Sequence, residues 1–169
     1  MGRIIAIDYG TRRTGIAVSD PLQLIAGGLA TVETRELERY LTQYIAREDV
    51  SVIVVGKPLK MNGAPSETMR FVLPLVARLH RTYPSIEVVL YDERFTSAIA
   101  HRAMLDGGMK KTARRDKAIV DEISATIILN DFPKAGDDAK KRKKHEIRYD
   151  TTYLFIRSAR AQTGGRRCG

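Results

Sequence analysis

The apolar residues among the first 33 positions of the chain fall into three short blocks. Each block is rich in β-branched or small apolar residues, and glycine or proline separates it from the next. Short turns of this kind join strands that are antiparallel neighbours in a sheet. The pattern predicts an antiparallel meander of three strands, at residues 3–8, 14–19 and about 25–33.

After residue 35 the spacing of apolar residues becomes helical. Apolar side chains then recur at intervals of three and four residues, which is typical of an amphipathic helix, and the wholly apolar segment SVIVVG follows. A β-branched run without polar alternation is normally a strand buried on both faces, as in a parallel sheet covered by helices. The same helix–strand unit then repeats, and two more helices come after it. We predict helices at 36–45, 66–81, 96–106 and 113–131, and strands at 51–56 and 86–93.

This order predicts an α/β fold with one mixed five-stranded sheet flanked by helices, three strands being antiparallel and the last two parallel. We assign residues 1–133 to this domain. Residues 134–169 are predicted to form a basic, flexible extension, because KAGDDAKKRKKH has the composition of a charged linker. Within the extension, IRYDTTYLFIR (147–157) has strand-like composition. The sequence leaves open whether that segment docks on the domain, pairs with another chain or orders on a partner.

The positive charge of the chain is concentrated in this extension. Of the 29 basic and 20 acidic residues, residues 134–169 hold 11 basic and 4 acidic ones. A cationic appendage on a nearly neutral body indicates a polyanionic partner, and nucleic acid is favoured over a membrane because no apolar helix face accompanies the charge. A solubilising tail without a partner is the alternative interpretation.

Export and membrane insertion are not predicted. No segment approaches the roughly 18 continuous apolar residues of a membrane span, and the N-terminus shows no signal-peptide pattern. Cys168 is the only cysteine, so neither an internal disulfide nor a cysteine metal site can form. These features favour a cytoplasmic protein.

Carboxylates end two of the predicted buried strands. Asp8 closes the first strand in front of Gly10, and Asp92 and Glu93 close the fifth. Because the carboxyl ends of parallel strands meet at one edge of a sheet, Asp8 and one of the latter two acids are expected to be neighbours. The alternative for Asp8 is an ordinary turn residue, since aspartate bonds readily to nearby backbone amides.

A third acid, Asp121, lies in the last predicted helix, with the small residues Ser124 and Ala125 one turn later. Gathered carboxylates without imidazole are the ligands preferred by Mg²⁺ or Mn²⁺, and two such ions can cleave a phosphodiester. Taken singly, each acid is better explained as a surface or capping residue. The buried stripe of this helix is predicted to be aliphatic, at Ile119, Val120, Ile123 and Ile127.

Four segments between residues 2 and 133 carry a resemblance to a known family. They are IDYGTRRTGIAVSDP, VVGKPLKMNG, YDERFTS and RRDKAIVDEISATIIL. In this order they resemble the YqgF/RuvX family of Holliday-junction resolvases, in the RNase H-like superfamily. The resemblance implies an RNase H-like fold, two Mg²⁺ or Mn²⁺ ions as cofactors, and Asp8, Glu93 and Asp121 as catalytic metal ligands. It thereby selects Glu93 over Asp92.

Residues that would hold the nucleic-acid substrate surround these acids. Arginines are expected to grip the phosphate backbone without reading its sequence. Asn62, Thr96 and Ser97 match family motif positions at the mouth of the site, although turn and helix-cap roles explain them equally well. The full predicted substrate-binding set is Arg12, Arg13, Asn62, Arg94, Thr96, Ser97, Arg114 and Arg115.

The resemblance implies a metal-dependent nuclease, a hydrolase acting on ester bonds. Two substrates are compatible with it: precursor 16S ribosomal RNA, matured at its 5′ end, which we favour, and four-way DNA junctions. We expect a monomer or weak homodimer with no membrane partner, although a resolvase would have to act as a dimer to cut two symmetric positions. Family members generally end soon after IILNDF, so the extension inherits no role; Lys140 to Lys144 are expected to add salt-sensitive, non-specific affinity for nucleic acid.

Two other classes of function were weighed against the nuclease. DYGTRRTG is also similar to the first phosphate loop of actin-like ATPases and sugar kinases, but those proteins need two lobes and 169 residues supply one. No Walker A or dinucleotide-binding glycine motif is present either. A non-catalytic RNA- or ribosome-binding factor would use the basic surface, yet it would have no evident need for three gathered acids.

Overall fold

The computed structural model describes residues 2–58, 66–92, 96–111 and 116–132, together with the two-residue strand 146–147. The strands are β1 (Arg3–Tyr9), β2 (Arg13–Ser19), β3 (Ala26–Glu33), β4 (Val50–Lys57), β5 (Glu87–Asp92) and β6 (Glu146–Ile147). A 3₁₀ turn (Thr34–Glu36) follows β3, and the helices are α1 (Leu37–Ile45), α2 (Met69–Thr82), α3 (Thr96–Asp106) and α4 (Lys117–Asp131).

All the strands belong to one sheet in the order β3-β2-β1-β4-β5-β6. β2 runs antiparallel to both β1 and β3, whereas β1, β4 and β5 are parallel to one another. The predicted α/β arrangement of three antiparallel strands followed by two parallel ones is therefore confirmed. The sheet also contains a sixth strand beyond the five that were predicted. This strand, β6, pairs antiparallel with β5, with Ile147 opposite Leu90.

The strand alternation of β1 divides the core in two. Ile5 and Ile7 pack on the side of the sheet covered by α1 and α2. Ile4 and Ala6 face the opposite side, where they join the apolar residues of α4. Because both faces are covered, the central strands are apolar throughout, as the segment SVIVVG indicated.

Helix boundaries differ from the prediction by three or four residues at two N-termini. α2 begins at Met69 instead of residue 66. α4 begins at Lys117 instead of residue 113, because the Asp116 carboxylate accepts a hydrogen bond from the Ala118 amide at 2.9 Å. Such a side-chain cap satisfies an amide that the helix itself leaves unpaired. No helix within the described ranges is long and apolar enough to span a membrane.

The buried face of α4 was predicted wrongly. The four aliphatic residues of the predicted stripe are only partly buried. The residues that α4 buries fully are Ser124, Ala125, Ile128 and Leu129. α4 lies across β1, β2 and β3 and also contacts α3, so apolar side chains are needed on more than one side of it. With apolar residues on several sides, the period of 3.6 residues does not single out the face toward the sheet.

Candidate active site

Asp8 is the penultimate residue of β1 and lies on the α4 side of the sheet, following Ile4 and Ala6 in the strand alternation. Its register partner in β2 is Gly15. The carboxyl ends of the parallel strands β1, β4 and β5 meet at this edge, where open α/β sheets bind their ligands. Asp8 is thus an acidic side chain on an otherwise apolar face, at the edge predicted for the site.

Close packing of α4 on the sheet brings Asp121 to the same edge. A β-carbon at Gly15 would overlap the backbone carbonyl of Asp121, so only glycine permits this approach. The Thr31 hydroxyl of β3 donates a hydrogen bond of 2.8 Å to the carbonyl oxygen of Ala118 in the first turn of α4. The start of α4 is therefore fixed against β2 and β3, and Asp121 is held beside Asp8.

The two carboxylates interact electrostatically. Burial, and then the negative charge of Asp121, raise the pKa of Asp8 from its ordinary value of 3.8 to about 6. A hydrogen bond from the Ser124 hydroxyl acts in the opposite direction and lowers this pKa. At neutral pH the protein therefore holds two adjacent negative charges in a partly buried position, which is unfavourable unless a cation lies between them.

Arg13 provides some of the compensating charge. Its Nε lies 3.5 Å from Oδ2 of Asp121. Burial raises the pKa of Asp121, whereas the charge and hydrogen bond of Arg13 lower it. Arg13 was predicted to bind substrate, and the structure places its half-exposed guanidinium directly beside one of the predicted catalytic acids.

The arginine-bearing turn between β1 and β2 is fastened to the 3₁₀ turn that follows β3. Thr34 donates its backbone amide to Arg12 O at 3.0 Å and its hydroxyl to Gly10 O at 2.7 Å. The hydroxyls of Thr14 and Thr34 are also 3.0 Å apart. These contacts hold the turn in place, and its exposed Arg12 lines a surface cavity together with Arg13.

The donor set of Asp8 and Asp121 fits a divalent cation. Hard carboxylate oxygens suit Mg²⁺ or Mn²⁺, and the repulsion that raises the pKa of Asp8 is relieved by positive charge between the two groups. The portion of the chain that the structure describes contains no cluster of three potential His, Cys, Asp or Glu ligands. The third predicted ligand, Glu93, lies outside the described residues, immediately after the last residue of β5.

The structure describes only some of the other positions predicted to bind substrate. Thr96 and Ser97 open helix α3, and the structure describes their backbone but not their side chains. The remaining positions, Asn62, Arg94, Arg114 and Arg115, lie outside the described residues.

Several residues that build the site were not identified from the sequence. Gly15, Thr31 and Thr34 act through contacts between elements that are distant along the chain, so no local pattern marks them. Ser124 was recognised only as a small residue that leaves room for Asp121. Its hydroxyl in fact serves Asp8, and its spacing of three residues from Asp121, one helical turn, was the available signal.

Comparison with known proteins identifies the family. The model of the family described as "RuvX: Holliday junction resolvase" matches residues 2–134. A Parabacteroides distasonis protein named "Putative pre-16S rRNA nuclease" is 59% identical over 132 residues, covering 78% of this chain and 94% of the relative. A Phocaeicola vulgatus protein of the same name is 54% identical, with coverages of 78% and 95%.

A solved complex of T. thermophilus RuvC with a Holliday junction substrate matches with 17% identity and a TM-score of 0.47, covering 76% of this chain and 92% of that one. The family model spans more than three quarters of the chain, and the two relatives are each more than half identical to it over 132 residues. The chain belongs to the RuvX family.

Proposed function

We propose that this protein is a metal-dependent endonuclease that hydrolyses phosphodiester bonds, with Asp8, Glu93 and Asp121 as its catalytic metal ligands. The observation that carries the proposal is the Asp8–Asp121 pair, two mutually repelling carboxylates held at the ligand-binding edge of the sheet beside Arg13. A protein that only bound RNA would gain nothing from this repulsion. The pair is useful where cations must be gathered next to a phosphate.

The assignment of the third ligand is supported by the alternation of β5. Val89 and Tyr91 pack on the α4 side of the sheet, the side on which Asp8 lies. Glu93 follows Tyr91 by two residues, which favours it over Asp92 for the same side. Divalent ions bound by these three acids would supply the charge that activates water and stabilises the leaving oxygen of the phosphodiester.

The chain's own residues would position the substrate around that centre. Arg13, paired with Asp121, and the exposed Arg12 would contact phosphates near the scissile bond, a role supported by their position beside the acids. Ser124 orients the Asp8 carboxyl through its hydrogen bond. Further substrate contacts are proposed for Asn62, Arg94, Thr96, Ser97, Arg114 and Arg115.

The proposed substrate is precursor 16S ribosomal RNA, cut during maturation of its 5′ end in the cytoplasm. The names of the two relatives described above support this choice. The description of the family model supports four-way DNA junctions as the second candidate. The two candidates differ in assembly, because a junction is cut at two symmetric positions by a dimer, whereas the RNA role requires only a monomer.

Cleavage of two labelled substrates tests the proposal. The full-length protein is incubated, with Mg²⁺ or Mn²⁺ and separately with a chelator, with ribosomal RNA carrying its 5′ leader and with a four-way DNA junction. We expect metal-dependent cleavage within the leader and an intact junction. Paired symmetric nicks in the junction would replace RNA by DNA as the substrate. Binding of either substrate without cleavage in any metal would overturn the nuclease and favour a binding factor.

A further inference from the structure

A groove leads away from the candidate active site between the C-terminal end of β3 and helix α1. It consists of two adjoining cavities, of about 550 and about 420 Å³, that share Glu33 and Arg35. The first is lined additionally by Thr11, Arg12 and Arg13, and the second by Val32, Glu36, Arg39, Tyr40 and Gln43. We call the second cavity and its walls the β3–α1 groove.

The groove is continuous with the catalytic edge. Arg13 pairs with Asp121 and lines the first cavity, and Arg35 lines both cavities. The groove lies on the α1 side of the sheet and the acids lie on the α4 side, so a strand at the acids would enter the groove by passing over the end of β3.

The walls of the groove present oriented guanidinium groups to the solvent. Arg35 Nε contacts Glu33 at 2.7 Å, and Arg39 Nη2 contacts Glu36 at 2.6 Å. The side chain of Arg35 is nevertheless 78% exposed, and that of Arg39 is 72% exposed. A guanidinium has five N–H donors in a planar fork, so one ion pair fixes its direction and leaves other donors able to contact a phosphate.

The floor of the groove is aromatic and polar rather than charged. Tyr40 packs against the core on the α1 side, and burial raises the pKa of its hydroxyl. Gln43 lies one helical turn further along α1 and lines the same cavity. An aromatic ring can stack on any unpaired base, and an amide can bond to a base edge. Bases inside a duplex are hidden from such contacts, so the groove suits a single strand.

We propose that the β3–α1 groove is a subsite for single-stranded RNA next to the scissile phosphate, with Arg35 and Arg39 on phosphates and a base stacked on Tyr40 beside Gln43. The proposal rests on the proposed nuclease function for the presence of an RNA strand at the acids. Continuity with the catalytic edge, where Arg12 and Arg13 line the first cavity, favours RNA over an extended peptide, the other occupant that the open edge of β3 could accept.

Affinity measurements in the full-length Asp8→Asn protein test this subsite without cleavage. Labelled single-stranded RNA longer than the groove is titrated by fluorescence anisotropy at several salt concentrations. We expect Arg39→Gln to weaken binding about fivefold and to reduce the salt slope by about 0.7, the value for one phosphate contact of a single strand. Glu36→Gln should tighten binding by removing a negative charge. Arg81→Gln, at the far end of α2, is the matched control and should change nothing.

Two substitutions of Tyr40 separate stacking from packing. Tyr40→Phe keeps the ring and should retain the affinity, whereas Tyr40→Leu keeps an apolar side chain and should weaken single-stranded RNA about tenfold without affecting duplex RNA. Thermal unfolding checks that both variants are folded. Equal losses for Arg39→Gln and Arg81→Gln, or equal losses of single-stranded and duplex RNA in Tyr40→Leu, would overturn the subsite.

The same data keep the two proposals distinguishable. If the wild type cuts no RNA but the groove variants shift the affinity as described, the subsite stands and the nuclease fails. If the wild type cuts RNA and no groove variant alters its affinity, the subsite alone is overturned.

Discussion

Asp8 lies on the face of β1 that otherwise carries Ile4 and Ala6, and its carboxyl lies close to that of Asp121. Desolvation disfavours the charged form of Asp8, and the neighbouring negative charge adds to this effect. Ionising Asp8 therefore carries a free-energy cost in the folded protein that is absent in the unfolded chain. A proton or a bound cation removes this cost, which links the stability of the protein to pH and to metal.

We predict that Asp8→Asn stabilises the metal-free protein above about pH 7. Since the pKa of Asp8 is raised from 3.8 to about 6, the native state binds more protons than the unfolded state between these values. The free energy of unfolding of the wild type therefore falls as the pH rises through this window. Asp8→Asn has no carboxyl to ionise at this position, so its free energy of unfolding does not fall in this window. Its excess over the wild type should grow from near zero below about pH 4 to at most roughly 3 kcal/mol above pH 7.

Urea unfolding in the presence of a chelator, repeated across this pH range, measures the difference. Asp106→Asn is the control, because Asp106 is an exposed residue of α3 whose contact is a surface pair with Arg102. It should change the stability by less than about 0.5 kcal/mol. A wild type as stable as Asp8→Asn at every pH would show that the acid pair carries no electrostatic cost.

At the scale of elements, the site depends on how closely α4 approaches the sheet. Gly15 is the cross-strand partner of Asp8 and at the same time the residue against which the backbone of Asp121 rests. Gly28 in the neighbouring strand β3 faces the flexible end of the Glu122 side chain instead of backbone. Gly15 therefore sets how closely α4 approaches β2, and with it the spacing of the two acids.

Gly15→Ala should therefore damage both stability and function. The added methyl group meets backbone, which has little freedom to move, so we expect a loss of about 1–3 kcal/mol in unfolding free energy. Displacement of Asp121 should lower the cleavage rate about a hundredfold. Chemical unfolding and single-turnover cleavage provide the two measurements.

Gly27→Ala is the matched control for this prediction. Gly27 also lies within a strand of the same antiparallel meander, but a β-carbon there meets no atom within 4 Å. The alanine should be neutral or stabilise the strand by about 0.5–1 kcal/mol, with normal cleavage. Similar damage from both substitutions would show that the spacing between α4 and β2 does not govern the site.

The features of the fold that could be predicted are those with a local signal. The strand order was predictable, because turn residues mark the meander and wholly apolar runs mark the buried parallel strands. The orientation of α4 was not predictable, because Ile119 and Ile123 are as apolar as the residues that reach the sheet. What selects the buried face is a fit between distant segments: Ser124 and Ala125 are small, and the backbone of Asp121 rests against a glycine in β2.

The candidate site was predictable to a similar extent. Strand ends and the family resemblance indicated Asp8 and Asp121, and the structure brings these two acids together beside Arg13. The supporting hydrogen bonds of Thr31 and Thr34 join residues 87 and 24 positions apart, which no local pattern encodes. The assignment of Glu93 and of the boundary at residue 133 stays a prediction.

For the molecule as a whole, the basic extension (residues 134–169) is the part to which no role has yet been given. Residues 140–144 of the extension, KKRKK, are all cationic. Glu146 and Ile147, which follow shortly after, form the short strand β6 at the edge of the sheet. Pairing of β6 with β5 would tether these charges to the domain at the edge of the sheet opposite to β3. The extension could thus add phosphate contacts at some distance from the groove.

Removing the extension after Pro133 should weaken RNA binding without moving the cleavage site. If three of the five consecutive cations contact phosphates, the slope of log affinity against log salt should fall by about 2. A full-length variant with residues 140–144 changed to glutamine retains Glu146–Ile147 and separates the loss of charge from the loss of β6. An unchanged slope in both proteins would exclude a role of the extension in binding.

The most direct test of the central claim is single-turnover cleavage of leader-containing ribosomal RNA, with Mg²⁺, by the wild type, Asp8→Asn and Asp106→Asn, alongside the RNA affinity of each protein. The account predicts that Asp8→Asn loses at least about a thousandfold in rate, roughly 4 kcal/mol of transition-state stabilisation, while it still binds RNA and Asp106→Asn behaves as the wild type. Cleavage by Asp8→Asn at the wild-type rate would show that the acid pair at the sheet edge is not the catalytic centre.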